Sequence, residues 1–193
     1  SWGMRLMLML SVPATVGLMV LSSPIVELIY QRGQFGAEST AMVASALIFY
    51  APGIVGYSLV KLASPSFYAL RDARTPVTIS FVTIVANLVL NLSLFRAFGY
   101  RGLAFGTAIA ANINAGLLLI VLSRRIGGID AARILWSFAK IAVASCAMGV
   151  AAYYTEASLH GLFPDGHSLS RLIRVGGGIG VGVGTLALTS WLL

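Results

Sequence analysis

Charge is what this chain has least of. Only 10% of its 193 residues are Asp, Glu, Lys or Arg, against about 25% in an average soluble domain. So few charges cannot cover a water-soluble globule of this length. That excludes an ordinary soluble enzyme, a disordered tail and a nucleic-acid-binding domain. The net charge of +7 does not restore the last of these, because the basic residues sit between long apolar runs and form no contiguous patch. A single cysteine, Cys146, excludes a disulfide framework and a cysteine-based metal cluster. No G-x-x-x-x-G-K-[ST] loop is present, so nothing points to direct use of ATP. The two histidines, His160 and His167, share a polar loop without metal-ligand spacing. Ser145-Cys146 has no histidine nearby in sequence, so no catalytic constellation is visible and the chain reads as no enzyme.

What the chain has in quantity is oil-soluble sequence: 58% of residues are hydrophobic and the mean hydropathy is +0.91. The spacing of the few charges is the strongest signal. A membrane-spanning helix needs about 20 mostly apolar residues. Charge-free stretches run over Leu6–Val26, Ser39–Val60, Thr75–Phe95, Gly102–Ser123, Ile141–Thr155 and Val175–Leu193. The fifth is long enough if it starts near Ala131 and lets Arg133 and Lys140 reach the interface. No segment alternates with period two, as a membrane β-barrel requires. In hydrocarbon every backbone polar group must be bonded internally. The fold class expected is therefore an all-α integral membrane protein with six transmembrane helices, near 4–30, 38–63, 76–96, 102–123, 131–155 and 169–193.

The connectors agree. Gln31-Arg32-Gly33-Gln34-Phe35-Gly36 and Phe98-Gly99-Tyr100-Arg101-Gly102 are short and glycine-bearing. In Arg71-Asp72-Ala73-Arg74-Thr75-Pro76 the last two residues read as a helix N-cap followed by proline at the first helical position. Arg124–Asp130 is the best candidate for a subdomain boundary. With alternating spans, Arg5, Lys61, Arg71, Arg74, Arg124, Arg125, Arg133 and Lys140 share one side, and Arg32, Arg96, Arg101, Arg171 and Arg174 the other. The positive-inside rule then puts both chain ends in the cytoplasm. The chain opens on Ser1, which reads as a piece of a longer protein.

Within the spans, Pro13, Pro24, Pro52-Gly53 and Pro65 are helix breakers that make hinges or cavities, or reflect the general tolerance of membrane helices for proline. Gly176, Gly180 and Gly184 recur at intervals of four in the last helix, with Gly178 and Gly182 on the adjoining face. Gly102, Gly106 and Ala110 do the same in the fourth. Small residues at that spacing let helices approach closely, or leave a smooth groove for a lipid tail. Asn87 and Asn91 share a face of the third helix, and Thr107, Asn112 and Asn114 lie on the fourth. These oxygens form an interhelical hydrogen-bonding set or contribute to a Na+ site, the second requiring a carboxylate from elsewhere. Glu27 and Lys61 sit near span ends, within snorkelling reach of the interface.

Several stretches are familiar together: Trp2-Gly3-Met4-Arg5-Leu6, Leu10-Ser11-Val12-Pro13-Ala14, Gln31-Arg32-Gly33-Gln34-Phe35, Val60-Lys61-Leu62-Ala63, Phe67-Tyr68-Ala69-Leu70-Arg71-Asp72-Ala73-Arg74-Thr75-Pro76-Val77 and Gly102-Leu103-Ala104. They resemble the carboxy-terminal part of the MviN/MurJ family, the phenylalanine-to-valine stretch being the most specific. The resemblance is good from Trp2 to about Arg125 and rests beyond that on helix placement.

The resemblance implies a lipid II flippase of the bacterial cytoplasmic membrane, in the multidrug/oligosaccharidyl-lipid/polysaccharide exporter superfamily. Its members are similar to a fourteen-helix transporter of two lobes plus an extra helix pair. This chain would supply residues 1–123 as four helices of the second lobe and 124–193 as two additional helices shaping a lipid groove. The implied partners are lipid II (an undecaprenyl-pyrophosphate-linked disaccharide-pentapeptide), membrane lipid and the amino-terminal lobe of the same protein, with no nucleic acid. No cofactor is implied beyond Na+ or proton coupling. The implied cation site draws on Asn87, Asn91 and Thr107, with Asn91 standing where an acidic residue is expected. Arg5, Arg32 and Arg71 are the chain's candidates for holding substrate, although interfacial anchoring explains each as well. Two other functions fit the same helices: an exporter of drugs or of another polyprenyl-linked glycan, and a non-transporting scaffold for cell-wall synthesis.

Overall fold

The computed structural model describes residues 2–30, 35–128, 131–162 and 168–192. The described residues form eight α-helices: α1 (Trp2–Val20), α2 (Ser22–Tyr30), α3 (Ala37–Tyr50), α4 (Gly53–Ala69), α5 (Arg74–Phe98), α6 (Tyr100–Arg125), α7 (Ala131–Leu162) and α8 (Ser168–Leu192). No strand occurs among them. Four helices are long and apolar enough to cross a membrane: α1, α5, α6 and the Ala132–Leu159 part of α7. The pair α3 and α4, bent by 45°, makes a fifth if it is one broken span.

Eight helices replace the six expected because two spans are interrupted. The first runs straight past Pro13 and breaks at Leu21 instead. Pro24 explains the position: it has no N–H to offer the Val20 carbonyl four residues back, and its ring crowds that carbonyl. The second breaks at Ala51-Pro52, then continues through Pro65 to Ala69 rather than ending near residue 63. The fifth expected span is also longer than expected, reaching Leu162.

The chain divides into two compact units, 1–11 with 49–139, and 12–48 with 140–193. In the first, α6 is the central helix, packed on α4 and on α5. Its buried residues are mostly Gly and Ala: Gly102, Gly106, Ala108, Ala110, Ala111 and Ala115. Small residues serve both neighbours. Toward α5, a β-carbon on Gly102 would overlap the Leu94 carbonyl, and one on Gly106 would overlap Asn91 Oδ1. Toward α4, a β-carbon on Gly56 would lie 2.6 Å from the Ala111 carbonyl carbon. Where lipid is the solvent, such van der Waals fit, rather than apolar burial, drives association. One end of the unit adds larger side chains, Ala63 and Phe67 of α4 against Leu118 and Leu122 of α6. The opposite face of α5 leaves Val77, Phe81, Ile84, Leu88, Leu92 and Phe95 exposed, a face stable against hydrocarbon or another protein surface but not against water.

The turns of this unit follow backbone rules. Gly99, at φ 59°, ends α5 and starts α6, a conformation glycine adopts without penalty. After α6, Gly127 takes φ 77° and Gly128 donates its N–H to the Ser123 carbonyl at 2.8 Å, a Schellman closure. After α4 the same closure is made with Arg71 in the left-handed position at φ 58°, where Asp72 donates its N–H to the Phe67 carbonyl at 3.0 Å. The cap of α5 also differs from expectation. Thr75 is already helical, and Asp72 does the capping: its Oδ1 accepts the Thr75 N–H at 3.1 Å.

In the second unit, residues 13–20 of α1 pack closely on α7, where a β-carbon on Gly149 would lie 2.8 Å from the Val16 side chain, and α2 packs on α8.

Candidate functional site

Both units carry cavities beside their packed helices. In the second unit there is an apolar groove of about 360 Å³ lined by the end of α1, α2, α7 and α8, among others Pro13, Leu18, Leu21, Met148, Gly178 and Leu186. Two of the helices that line it, α7 and α8, approach closely at glycine contacts. A β-carbon on Gly182 would sit 3.7 Å from the Ala152 β-carbon and 3.3 Å from Met148 Cγ, and one on Gly178 would sit 3.6 Å from the Ala152 carbonyl oxygen. Gly178 and Gly182 therefore form the close-packed face of α8. Gly176, Gly180 and Gly184 have nothing within 4 Å of a β-carbon and are exposed. Pro13, on the groove wall, removes a backbone donor without ending the helix.

The end of this packing is charged. Arg174, 3% exposed, places Nη2 3.0 Å from Glu156 Oε1 and 3.8 Å from Glu27 Oε2. Glu27 does not snorkel but joins this cluster, and Arg174 is buried in it. Spacing alone could not show this, since all three residues lie at the ends of apolar runs that are far apart in sequence. The signal available was the number of acidic residues: with only six, each one near a span is a candidate partner for a cation.

In the first unit a cavity of about 270 Å³ is bounded by Tyr57, Ser80, Thr83, Asn87, Thr107 and Asn114 together with Ile84, Ala110 and Ala111. Asn87 and Thr107 thus meet at one cavity, while Asn91 does not reach it. Asn91 Nδ2 donates to Asn87 Oδ1 at 2.7 Å, within one helix rather than between two. Its Oδ1 is buried against Gly106 without a hydrogen-bond partner. The Thr107 hydroxyl donates to the Leu103 carbonyl at 2.8 Å. Toward Na+ the set offers only neutral oxygens: one lone pair of Asn87 Oδ1 is taken by Asn91, and the residues lining the cavity bring no carboxylate to offset the cost of dehydrating a cation.

Asn112, which sequence reading left among the general polar residues, has a specific place. Its Nδ2 donates to the Pro52 carbonyl at 3.0 Å and to the Ala108 carbonyl at 2.8 Å. The first bond meets the backbone where the α3–α4 pair bends. Gly53, beside it, packs so closely that a β-carbon there would lie 3.0 Å from Ala108 Cα. Pro52 and Gly53 thus sit at a bend clamped from α6.

The candidate substrate arginines are separate features. Arg5 lies in the first turns of α1, half-buried, with Nε buried and without a hydrogen-bond partner. Arg71 is exposed in the turn after α4. Arg32 lies outside the described residues. In the same turn as Arg71, Asp72 Oδ2 accepts the Thr75 hydroxyl at 2.6 Å and pairs with Arg125 Nη2 at 2.8 Å. The Thr75 hydroxyl first, then the Thr75 N–H and the Arg125 charge, hold the Asp72 carboxyl below its ordinary range.

Long apolar helices, glycine-mediated contacts and a groove walled by hydrocarbon side chains define a polytopic helical membrane protein. Comparison with known proteins sharpens this. The family model for the lipid II flippase MurJ matches residues 1–173, and the chain belongs to that family. It is 31% identical over 183 residues to the probable lipid II flippase MurJ of Vibrio cholerae, covering 95% of this chain and 35% of that protein. To the corresponding protein of Rickettsia prowazekii it is 42% identical over 114 residues, 59% of this chain and 22% of the relative. A solved lipid II flippase MurJ in an inward closed conformation superimposes with a TM-score of 0.76 at 23% identity, covering 98% of this chain and 37% of that structure. The fold is therefore shared, and the chain spans about a third of the length of such relatives.

Proposed function

We infer that the chain is part of a flippase that carries lipid II across the bacterial cytoplasmic membrane by alternating access. The observation that carries this reading is the family match over residues 1–173. The apolar groove beside α8 supports it, because a polyprenyl tail needs a continuous hydrocarbon wall while the head group crosses. The physical problem is the pyrophosphate, since an unpaired ion taken into a low-dielectric slab costs several kcal/mol or more. A basic, water-filled cleft between two lobes lowers that barrier, and rocking of the lobes exposes it to either side. In this reading residues 1–123 supply part of the second lobe, 124–193 shape the tail groove, and the amino-terminal lobe of the same protein completes the cleft. Both ends of the chain face the cytoplasm. Arg5, Arg32 and Arg71 serve as weaker contacts to the head group or as interfacial anchors.

The test uses the full-length protein reconstituted in vesicles with fluorescent lipid II, followed by a membrane-impermeant quencher. Protein-dependent exchange between leaflets is expected. Exchange no faster than in protein-free vesicles would reject the reading.

A further inference from the structure

We propose that Arg174 is a positioning residue: a buried ionic rung that fixes the register of α8 against α7 and α2, and so sets the shape of the apolar groove. The assignment of that groove to a lipid tail rests on the preceding reading, but the rung itself does not.

Three rungs join α7 to α8 in antiparallel order. Arg174 meets Glu156, Gly178 faces the Ala152 carbonyl, and Gly182 faces Ala152 Cβ and Met148. Along α8 the positions are i, i+4 and i+8, and along α7 they are i, i−4 and i−8, so each set lies on one helix face. The same α8 face meets α2 and its junction, Gly178 against Leu21 and Arg174 against Glu27. The glycine rungs are poor at specifying register. Small residues recur on α8 at every fourth or second position from Gly176 to Gly184, and a slide by one turn would put Gly182 in the place of Gly178 and Leu186, a flexible side chain, in the place of Gly182. The ionic rung tolerates no such slide. Moved by a turn, a guanidinium that is 3% exposed would lose both of its carboxylates. A buried charge left unpaired is the costly alternative that disfavours other registers, the best-attested role of buried ionic groups. Leu21, Met148, Gly178 and Leu186 all line the groove, so the register decides which side chains form its wall.

The test is disulfide mapping in membranes, in the full-length protein carrying Cys146→Ala. Ala152→Cys with Gly182→Cys is the in-register pair, since the β-carbon separation of 3.7 Å matches a disulfide. Ala152→Cys with Leu186→Cys reports a slide of one turn. The in-register pair should oxidise readily, and Arg174→Met should lower its yield about tenfold or more, as loss of a buried ion pair implies, with the shifted pair gaining. The charge exchange Arg174→Glu with Glu156→Arg keeps one arginine and two carboxylates at the rung and should restore the in-register yield. An unchanged cross-link pattern in Arg174→Met overturns the proposal. If that variant fails to accumulate, the charge exchange decides: an in-register bond supports the rung and a shifted one overturns it. Lipid II exchange measured on the same variants separates the two readings. A shifted register with undiminished exchange leaves the rung standing and rejects the groove as the path of the tail.

Discussion

Asn112 donates its side-chain amide to the Pro52 carbonyl at 3.0 Å, so a polar residue of α6 clamps the bend between α3 and α4. The bend needs the clamp because the turn at Ala51-Pro52 interrupts the helical ladder and leaves backbone oxygens to be satisfied in an apolar setting. Replacing Asn112 by Leu should destabilise the full-length protein in detergent by about 0.6–1.7 kcal/mol, the range of side-chain hydrogen bonds in helical membrane proteins. Asn112→Asp should do no better, since a carboxylate cannot donate. Thermal unfolding checks both. A leucine variant of undiminished stability would mean the bend holds without its clamp.

Gly106 and Asn91 form a steric pair. A β-carbon at position 106 has no room while the Asn91 oxygen occupies its place. Gly106→Ala should cost about 1–3 kcal/mol as overpacking, and Asn91→Ala should restore part of that loss in the double variant. Additive effects in the double-mutant cycle would show that the two positions do not touch.

Arg71 holds a left-handed backbone at φ 58°, which costs a non-glycine residue roughly 1–2 kcal/mol. Arg71→Gly relieves that strain, offset in part by greater unfolded-chain entropy. The net expectation is a protein at least as stable as the parent, and chemical unfolding reads it. A clear loss of stability would show that the arginine side chain contributes more than its backbone costs.

The Asp72 turn should be acid-sensitive. Its folded carboxyl lies below the ordinary range because the Thr75 hydroxyl, the Thr75 N–H and Arg125 favour the charged form. A depressed pKa contributes stability above the unfolded value, and that stability is lost as pH falls through the folded one. Thr75→Val removes the leading cause, so the Asp72 titration should move up and the onset of acid loosening should shift to higher pH. Infrared titration of the carboxylate band, with Asp72→Asn as the blank, follows both. An unmoved titration would assign the depression to the backbone N–H groups of the turn and to Arg125.

The cavity near Asn87 and Thr107 should be indifferent to sodium. Exchange of Na+ for choline should leave the unfolding midpoint of the full-length protein unchanged. Asn91→Asp restores a carboxylate beside Asn87, and should make the midpoint rise with Na+. A sodium-dependent midpoint in the unaltered protein would overturn the assignment of Asn91 to packing.

How far the sequence reaches can be judged from particular residues. Charge spacing located the long apolar segments but neither the interruptions of the first two nor the far ends of α4 and α7, because the cost of placing Lys, Arg, Asp or Glu in hydrocarbon is large and local. The break at Leu21 was not legible: proline at position 24 constrains a carbonyl four residues earlier, so the visible breaker and the interruption do not coincide. The small-residue stripes were legible as stripes. Which α8 stripe packs depended on the rotation of the helix, and spacing at every second position leaves two faces equally smooth. The partners of Arg174 were not legible, because a cation at the edge of an apolar run looks the same whether it faces water or two glutamates on other helices. Asn112 was visible as polar residue at depth, but its acceptor is a backbone carbonyl, which no side-chain pattern reveals.

The most direct measurement is the amount of lipid II reachable from outside the cell when the full-length protein is depleted. Spheroplasts are treated with an impermeant enzyme that cleaves outward-facing lipid II, and the cleaved fraction is compared before and after depletion. The account requires that fraction to fall while total lipid II accumulates, and to recover when the protein is restored. A cleaved fraction that stays constant through depletion would contradict it.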